Sequence, residues 1–122
     1  MKPQLSPVSG FTLIELLICI AIISILASVL IPNVLQARSH AQQVSARTYA
    51  RQMATWANSW LTEQPNRRVD DLNSSCTNSM YVAQGGSASF PSWVAGCEVQ
   101  SKGDGTFLVK VTMLSGQTAT FE

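Results

Sequence analysis

Charged side chains are scarce in this chain. Asp, Glu, Lys and Arg make up 12% of its 122 residues, about half the roughly 25% that is usual in soluble domains. Eight basic and seven acidic side chains leave a formal net charge of +1. So weak a field does not concentrate nucleic acid or an acidic membrane, which disfavours a basic nucleic-acid-binding protein. The length allows one domain of modest core and excludes most two-domain enzymes.

Histidine is almost absent as well, since His40 is the only one. A zinc site needs three or four converging ligands, and a catalytic nucleophile needs a base and an orienting group. With no glycine-rich phosphate loop either, we expect no enzyme activity, no cofactor and no metal. Asp70, Asp71 and Asn73 carry oxygen ligands of the kind that calcium binds, but turn and cap roles are commoner for such residues.

The missing charge is concentrated in one segment. Residues 11–31 form a run of 21 residues without Pro or Gly, and Glu15 is its single ionisable side chain. As a helix the run measures about 31 Å, the hydrocarbon thickness of a bilayer. Lys2 and the amino terminus are the positive charges ahead of it. The positive-inside rule therefore predicts a cytoplasmic N-terminus, with residues 33–122 across the membrane.

Two simpler explanations of the apolar run, a secretory signal and a plain membrane anchor, each leave part of the sequence unexplained. A cleavable secretory signal has an apolar region of about 7 to 15 residues that ends at a small-x-small site, whereas this run is longer and leads into Pro32 and Asn33. A plain membrane anchor explains everything except Glu15. A carboxylate in hydrocarbon costs about 2.5 to 3.5 kcal/mol on insertion scales, although near the end of a span it can snorkel to the interface.

The residues around Glu15 carry a resemblance to a known family. A short leader ends at Gly10, Phe11 follows directly, and Glu15 lies five residues into the new terminus. Together with residues 12–17, this pattern resembles the processing and assembly signature of type IV pilins and the related pseudopilins. The resemblance is specific over residues 10–32 and only architectural beyond them. Ser9 departs from the family pattern, which often has a basic residue before the glycine.

The resemblance implies how the chain is cleaved, inserted into the membrane and assembled. A prepilin peptidase would cut between Gly10 and Phe11 on the cytoplasmic side and methylate the Phe11 amine. Residues 1–10 would be the cleaved leader, 11–32 the transmembrane and filament-core segment, and 33–122 the extracytoplasmic head. The precursor would cross the inner membrane once, and the inner-membrane assembly machinery would build it into an extracellular pilus, a homopolymer with or without minor pilins.

The chemistry of Glu15 supports a role in assembly. Cleavage would create an ammonium group at Phe11, itself a charge in hydrocarbon. A carboxylate from an adjacent subunit would compensate that buried charge. We hypothesise that Glu15 of an incoming subunit pairs with the Phe11 amine of its neighbour and sets the axial register.

The helical pattern continues after the apolar run. Pro32 removes one helical hydrogen bond and predicts a kink or local opening, and the resemblance suggests lost helicity just upstream of it. Beyond Pro32, apolar or small residues recur at spacings of three and four up to Trp60 and Leu61, which predicts an amphipathic helix. The helix is expected to end at about residue 63, because Pro65 follows.

The C-terminal third has a different pattern. Apolar and polar residues alternate around Cys97 and over residues 107–113 and 118–121, which predicts three strands in an antiparallel meander. Residues 64–93 lack periodicity and predict a loop, with one short strand at residues 81–83. The predicted fold is α+β and type IV pilin-like: a long helix packed on a small three- to four-stranded antiparallel sheet at about residues 94–122.

One of the three cysteines lies in the apolar run, and the other two lie in the predicted head. Cys19 lies mid-membrane, where a small apolar thiol is the ordinary interpretation. Cys76 and Cys97 enclose 20 residues and would share an oxidising compartment, so we predict a disulfide between them, worth about 3 kcal/mol. The enclosed loop is interpreted either as an exposed contact surface or as a segment whose aromatic residues fill the core: Tyr81, Phe90 and Trp93.

The favoured function is that of a structural subunit of a type IV pilus, supporting adhesion, twitching motility or DNA uptake. A pseudopilin of type II secretion or competence, or a minor pilin, is the first alternative. A monomeric membrane-anchored binding module is the alternative of another class. Weak DNA or surface binding along a filament is conceivable for five arginines, which otherwise form a solvated face: Arg38, Arg47, Arg51, Arg67 and Arg68.

Overall fold

The computed structural model describes residues 9–122, so all but the last two positions of the expected leader lie outside the described residues. The elements in chain order are α1 (Leu13–Glu63), a 3₁₀ helix (Val69–Leu72), β1 (Ser74–Ser75), α2 (Ser79–Val82), β2 (Val94–Ser101), β3 (Phe107–Met113) and β4 (Thr118–Phe121). The chain divides into two compact units, one up to Arg38 and the other Ser39–Glu122. Helix α1 contributes to both.

Helix α1 is continuous through Pro32. The lost helicity that the resemblance suggests upstream of this proline is a property of assembled filaments and stays a prediction, while the isolated chain is helical there. A proline removes only one donor from the helical ladder, and the Nδ2 of Asn33 donates to the carbonyl oxygen of Val29 at 3.2 Å, one turn back. The predicted end of the helix is confirmed at Glu63, because Gln64 and Pro65 are no longer helical.

The four strands form one antiparallel sheet in the order β1-β2-β3-β4. The predicted meander is confirmed, with Val99 opposite Val109 in one pair and Val111 opposite Ala119 in the next. The last connection is tight: the backbone N–H of Met113 donates to the carbonyl of Gln117 at 2.8 Å, and Gly116 adopts a φ of 83°, which only glycine takes without strain.

The core of the second unit lies between the C-terminal part of α1 and one face of the sheet. The helix contributes mostly alanines, which let the two layers approach closely, and the sheet contributes valines. The fully or nearly buried residues are Ala46, Ala50, Met53, Ala54, Ala57, Leu72, Cys76, Tyr81, Val94, Cys97, Val99, Val109, Val111, Met113 and Ala119. Trp56, Trp60, Phe107 and Phe121 are partly buried and pack against this cluster.

The connection between α1 and the sheet is more ordered than predicted. The strand expected at residues 81–83 is wrong, because Ser79–Val82 is a short helix whose Met80 N–H donates to the side chain of Asn78 at 3.1 Å. Tyr81 is fully buried and donates its hydroxyl to the Leu72 carbonyl at 2.7 Å. Phe90 and Trp93 are partly buried against the core, so these aromatics fill the core rather than form an exposed surface.

Candidate assembly segment

The apolar segment of α1 is not covered by any other part of the chain that the structure describes. It is the one described helix that is long and apolar enough to cross a membrane, and its large side chains are at least half exposed, from Leu13 at 80% to Ile18 at 51%. Exposed apolar surface on this scale does not persist in water. The segment must therefore be covered by something outside the chain, either lipid or other protein.

Polar side chains in the segment are satisfied within it. The hydroxyl of Ser24 donates to the Ile20 carbonyl and that of Ser28 to the Ile25 carbonyl, both at 2.7 Å. In hydrocarbon a polar group without a partner costs several kcal/mol, so such bonds back to the helix are what a lipid-facing segment requires. The segment is thus compatible with an apolar environment on all sides, except at Glu15, which carries a charge.

Glu15 and Thr12 close the N-terminus of α1 reciprocally. The backbone N–H and the hydroxyl of Thr12 each donate to Oε2 of Glu15 at 2.9 Å, and the Glu15 N–H approaches the Thr12 hydroxyl oxygen at 3.3 Å. This is a capping box, in which side chains take up backbone N–H groups that have no helical partner. The sequence carried the signal, Thr-x-x-Glu before an apolar run, but the role of Thr12 was not predicted.

The predicted cleavage positions lie just outside the helix. Ser9, Gly10 and Phe11 are exposed and non-helical, and Phe11 is 85% exposed. A Cβ added to Gly10 would meet no atom within 4 Å. The fold of the described chain therefore places no steric demand for glycine at position 10.

The remaining predicted residues are distributed along the second unit. Cys76 and Cys97 form the predicted disulfide, with Cα atoms 5.4 Å apart, while Cys19 is free and exposed. Among residues 9–122, no group of three or more His, Cys, Asp and Glu side chains could hold a metal ion. Asp70 and Asn73 instead accept hydrogen bonds from the hydroxyl and the backbone N–H of Ser101, at 2.5 and 2.6 Å.

The family model that matches is described as the prokaryotic N-terminal methylation motif, over residues 5–31. The N-terminus of this chain therefore carries that motif. The type IV wide pilus major component PilA4 of Thermus thermophilus is 65% identical over 40 residues, which are 33% of this chain and 30% of that protein. The type IV major pilin protein PilA of Myxococcus xanthus is 42% identical over 55 residues, 45% of this chain and 25% of that protein.

These likenesses confirm the resemblance of the N-terminal segment to type IV pilins. The matched segments cover less than a third of the length of either relative, and no solved structure matches the chain. The second unit has the fold described above. Its helix on a four-stranded antiparallel sheet agrees with the predicted pilin-like fold.

Proposed function

We propose that this chain is the structural subunit of a type IV pilus, stored in the inner membrane and assembled into an extracellular filament through the first part of α1. The observation that carries the proposal is the uncovered apolar segment, whose first turn contains Glu15 hydrogen-bonded to Thr12. Lipid tails and packed apolar helices offer similar surroundings. The same segment is therefore suited first to a single membrane pass with a cytoplasmic N-terminus and then to a filament core.

Processing is proposed between Gly10 and Phe11, by a prepilin peptidase that then methylates the Phe11 amine. The exposed, non-helical peptide at residues 9–11 is accessible in the way that a protease substrate needs to be. Because a Cβ at Gly10 would touch nothing, a requirement for glycine there would come from the peptidase. Cleavage removes Lys2 with the leader and creates an amine one residue before Thr12.

Assembly is proposed to pair this amine with Glu15 of a neighbouring copy. In the isolated chain the Glu15 carboxylate is held by Thr12 through one oxygen, Oε2, which leaves Oε1 for a partner. An ammonium and a carboxylate that enter an apolar filament core unpaired would each cost several kcal/mol. Pairing between copies removes both costs, so it selects one axial register among the many that an apolar helix surface allows.

The second unit would form the outside of the filament. Its disulfide suits an oxidising compartment beyond the inner membrane, and its charged side chains outside the two ion pairs are exposed to solvent or to other copies. Both relatives are named as major pilins, which favours the main subunit over a pseudopilin or minor pilin. Adhesion, twitching motility and DNA uptake are the uses that we propose for such a filament.

The decisive experiment replaces Glu15. In cells that carry the chain as their only copy, Glu15→Gln keeps the size and the acceptor of the side chain but removes its charge, and Glu15→Ala removes both. We expect both variants to be cleaved after Gly10, as intact mass will show, and to lose nearly all filaments in electron micrographs of sheared material. Glu63→Gln, a charge removal at the other end of α1, is the matched control.

The outcomes separate the parts of the proposal. Normal filament yield from Glu15→Ala would contradict the pairing of Glu15 with the Phe11 amine. An uncleaved wild-type chain, with residues 1–10 still attached in its mature form, would contradict processing and favour a simple membrane anchor. Loss of filaments from Glu63→Gln as well would show that any charge removal on α1 is harmful and would remove the argument from Glu15.

A further inference from the structure

The two ends of the strand order differ in how the outer backbone groups are paired. Beyond β2, the chain covers the edge with its own groups: the N–H of Cys76 donates to the Cys97 carbonyl at 3.1 Å, and the N–H of Ser101 donates to the Asn73 side chain at 2.6 Å. At the other end of the strand order stands β4, and within residues 9–122 no strand lies beyond it. An open strand edge is a surface on which another chain can pair or pack.

The open edge is also the basic one. Two grooves of about 320 and 200 Å³ run between α1 and β4, and Arg47 lines both of them. Arg51 lines the larger groove and lies over the ring of Phe121 at 5.7 Å. Of the residues that the structure describes, no acidic side chain lines either groove. We call the surface made by Arg47, Arg51, Thr118 and Thr120 the basic edge.

Neither arginine of the basic edge has an anionic partner in the described part of the chain. The ion pairs within residues 9–122 are Arg67 with Glu63 and Lys102 with Glu122. Both Arg47 and Arg51 are exposed. Two such cations beside an open strand therefore form a surface whose charge is not compensated by any of residues 9–122.

The opposite edge carries the complementary charge. Asp70 and Asp71 in the 3₁₀ helix and Glu98 on β2 are exposed, and we call these three residues the acidic edge. Asp70 accepts a hydrogen bond from Ser101 and Asp71 one from the N–H of Arg68 at 2.8 Å, which fixes both carboxylates beside β2. Two cations lie on this side, Arg68 before the 3₁₀ helix and Lys110 directly opposite Glu98 on β3, so the acidic edge keeps an excess of one negative charge.

The basic and acidic edges do not pair within one copy, because among residues 9–122 no ion pair joins Arg47 or Arg51 to an acidic side chain. A basic edge can meet an acidic edge only on another copy, and such a contact is heterologous, because each copy uses a different surface. Heterologous contacts repeat from copy to copy and generate an open helical array unless they close into a ring.

We propose that the basic edge of one head docks on the acidic edge of the next copy of this chain, with Arg47 and Arg51 facing Asp70 and Asp71. The inference rests on the proposed function, since it places the second copy in the same filament. It adds a contact between heads to the pairing of the N-terminal helices. Complementary charge of this kind acts mainly on the specificity and the rate of docking.

Charge reversal tests the contact. Arg47→Glu/Arg51→Glu and Asp70→Arg/Asp71→Arg each place like charges opposite one another, and each is expected to lower filament yield about tenfold. The fourfold variant that combines them restores the attraction with its sign inverted and is expected to recover filaments. A misfolded head would not be rescued in this way. Arg68→Glu, a reversal that adds to the acidic edge, is the matched control and is expected to assemble normally.

Cross-linking tests the geometry. Copies with Thr120→Cys and copies with Asp71→Cys, both in a Cys19→Ser background, are expressed together, and the sheared filaments are oxidised. We expect a disulfide dimer that needs both variants. Dimers from Thr120→Cys alone would show a symmetric contact and overturn the proposal, as would the absence of any dimer.

The outcomes distinguish this inference from the proposed function. If the wild-type chain forms no filaments, the proposed function fails. If the wild type and both reversed variants form filaments equally well, the head contact is wrong and the proposed function stands. If the Arg47→Glu/Arg51→Glu filaments form normally but bind less duplex DNA than wild-type filaments, the basic edge serves nucleic acid and the contact between copies is overturned.

Discussion

Single residues decide how closely the connection packs beneath α1, and Gly86 is the tightest case. A Cβ at Gly86 would lie 2.7 Å from the Tyr81 carbonyl oxygen and 3.4 Å from the Trp56 ring. The backbone oxygen cannot move aside, because it also accepts the Gly86 N–H at 2.9 Å. Gly86 is therefore required by the fold, in contrast to Gly10.

We predict that Gly86→Ala lowers the free energy of unfolding by about 1 to 3 kcal/mol, the usual cost of overpacking. Thermal unfolding of the full chain in detergent, followed by near-ultraviolet circular dichroism, measures the change. Gly96→Ala is the control, because a Cβ at Gly96 meets nothing within 4 Å. Equal melting temperatures for the two variants would contradict the steric argument.

Tyr81 predicts a loss of stability at alkaline pH. Burial raises the pKa of Tyr81, and the hydrogen bond with Ser74 opposes this only in part. Because the folded pKa lies above the unfolded value of about 10, the stabilisation by Tyr81 is complete below that pH and is lost as the pH rises through the folded pKa. Tyr49 shares the direction, since burial also raises its pKa.

The measurement is an ultraviolet titration of tyrosinate in the full chain, combined with urea unfolding at each pH. We expect both tyrosines to titrate above the pH at which they titrate in urea. Tyr81→Phe should remove part of the alkaline loss, at a cost of about 1 kcal/mol for the Leu72 carbonyl that loses its donor. Tyrosine titration at the same pH in folded and unfolded chains would refute the prediction.

At the scale of elements, the end of α1 depends on a side chain that follows it. The Arg67 guanidinium donates to the Trp60 carbonyl at 2.5 Å and to Glu63 at 2.7 Å, and it lies 4.2 Å from the centre of the Trp60 ring. A cation at a helix C-terminus satisfies carbonyls that have no helical donor. Arg67 therefore fixes where the helix stops and the connection begins.

We predict that Arg67→Ala costs about 1 to 2 kcal/mol, mostly through the carbonyl bond and the stacking, because the ion pair with the exposed Glu63 is worth little in water. Arg67→Lys should recover only a small part, since an ammonium cannot stack and bond in the same way. Urea unfolding read by tryptophan fluorescence gives both values. Arg68→Ala, with an exposed side chain, is the control, and an equal loss from it would argue against a specific role for Arg67.

The elements also show which parts of the fold can be predicted from sequence patterns. Helix α1 and strands β2 to β4 were predicted because apolar residues recur at helical or strand spacing over many positions. The structure of the connection between α1 and the sheet was not predicted. It depends on single hydrogen bonds, such as those of Asn78 at the start of α2 and of Tyr81 with Leu72, which produce no periodic pattern in the sequence. The capping box of Thr12 lay within reach of its short motif, whereas β1, at two residues, has too few positions to show alternation.

At the scale of the whole molecule, the two units meet opposite requirements. The first unit exposes its apolar side chains and needs an outside cover, whereas the second buries its own. The stability of the second unit is thus its own property, and the disulfide is the covalent tie that joins its connection to the sheet. Both bridge cysteines are nearly fully buried, so the bridge is also part of the packed core.

The last prediction therefore concerns the disulfide. Cys76→Ala/Cys97→Ala should lower the free energy of unfolding by about 3 kcal/mol, because the unfolded chain gains the freedom of the opened loop. Tryptophan fluorescence during urea unfolding reports on this unit alone, since Trp56, Trp60 and Trp93 all lie within it. Cleavage after Gly10 should be unchanged, because the peptidase would act on the other unit. Cys19→Ala, which alters an exposed thiol, is the control, and a double variant with the urea midpoint of this control would show that the bridge does not stabilise the head.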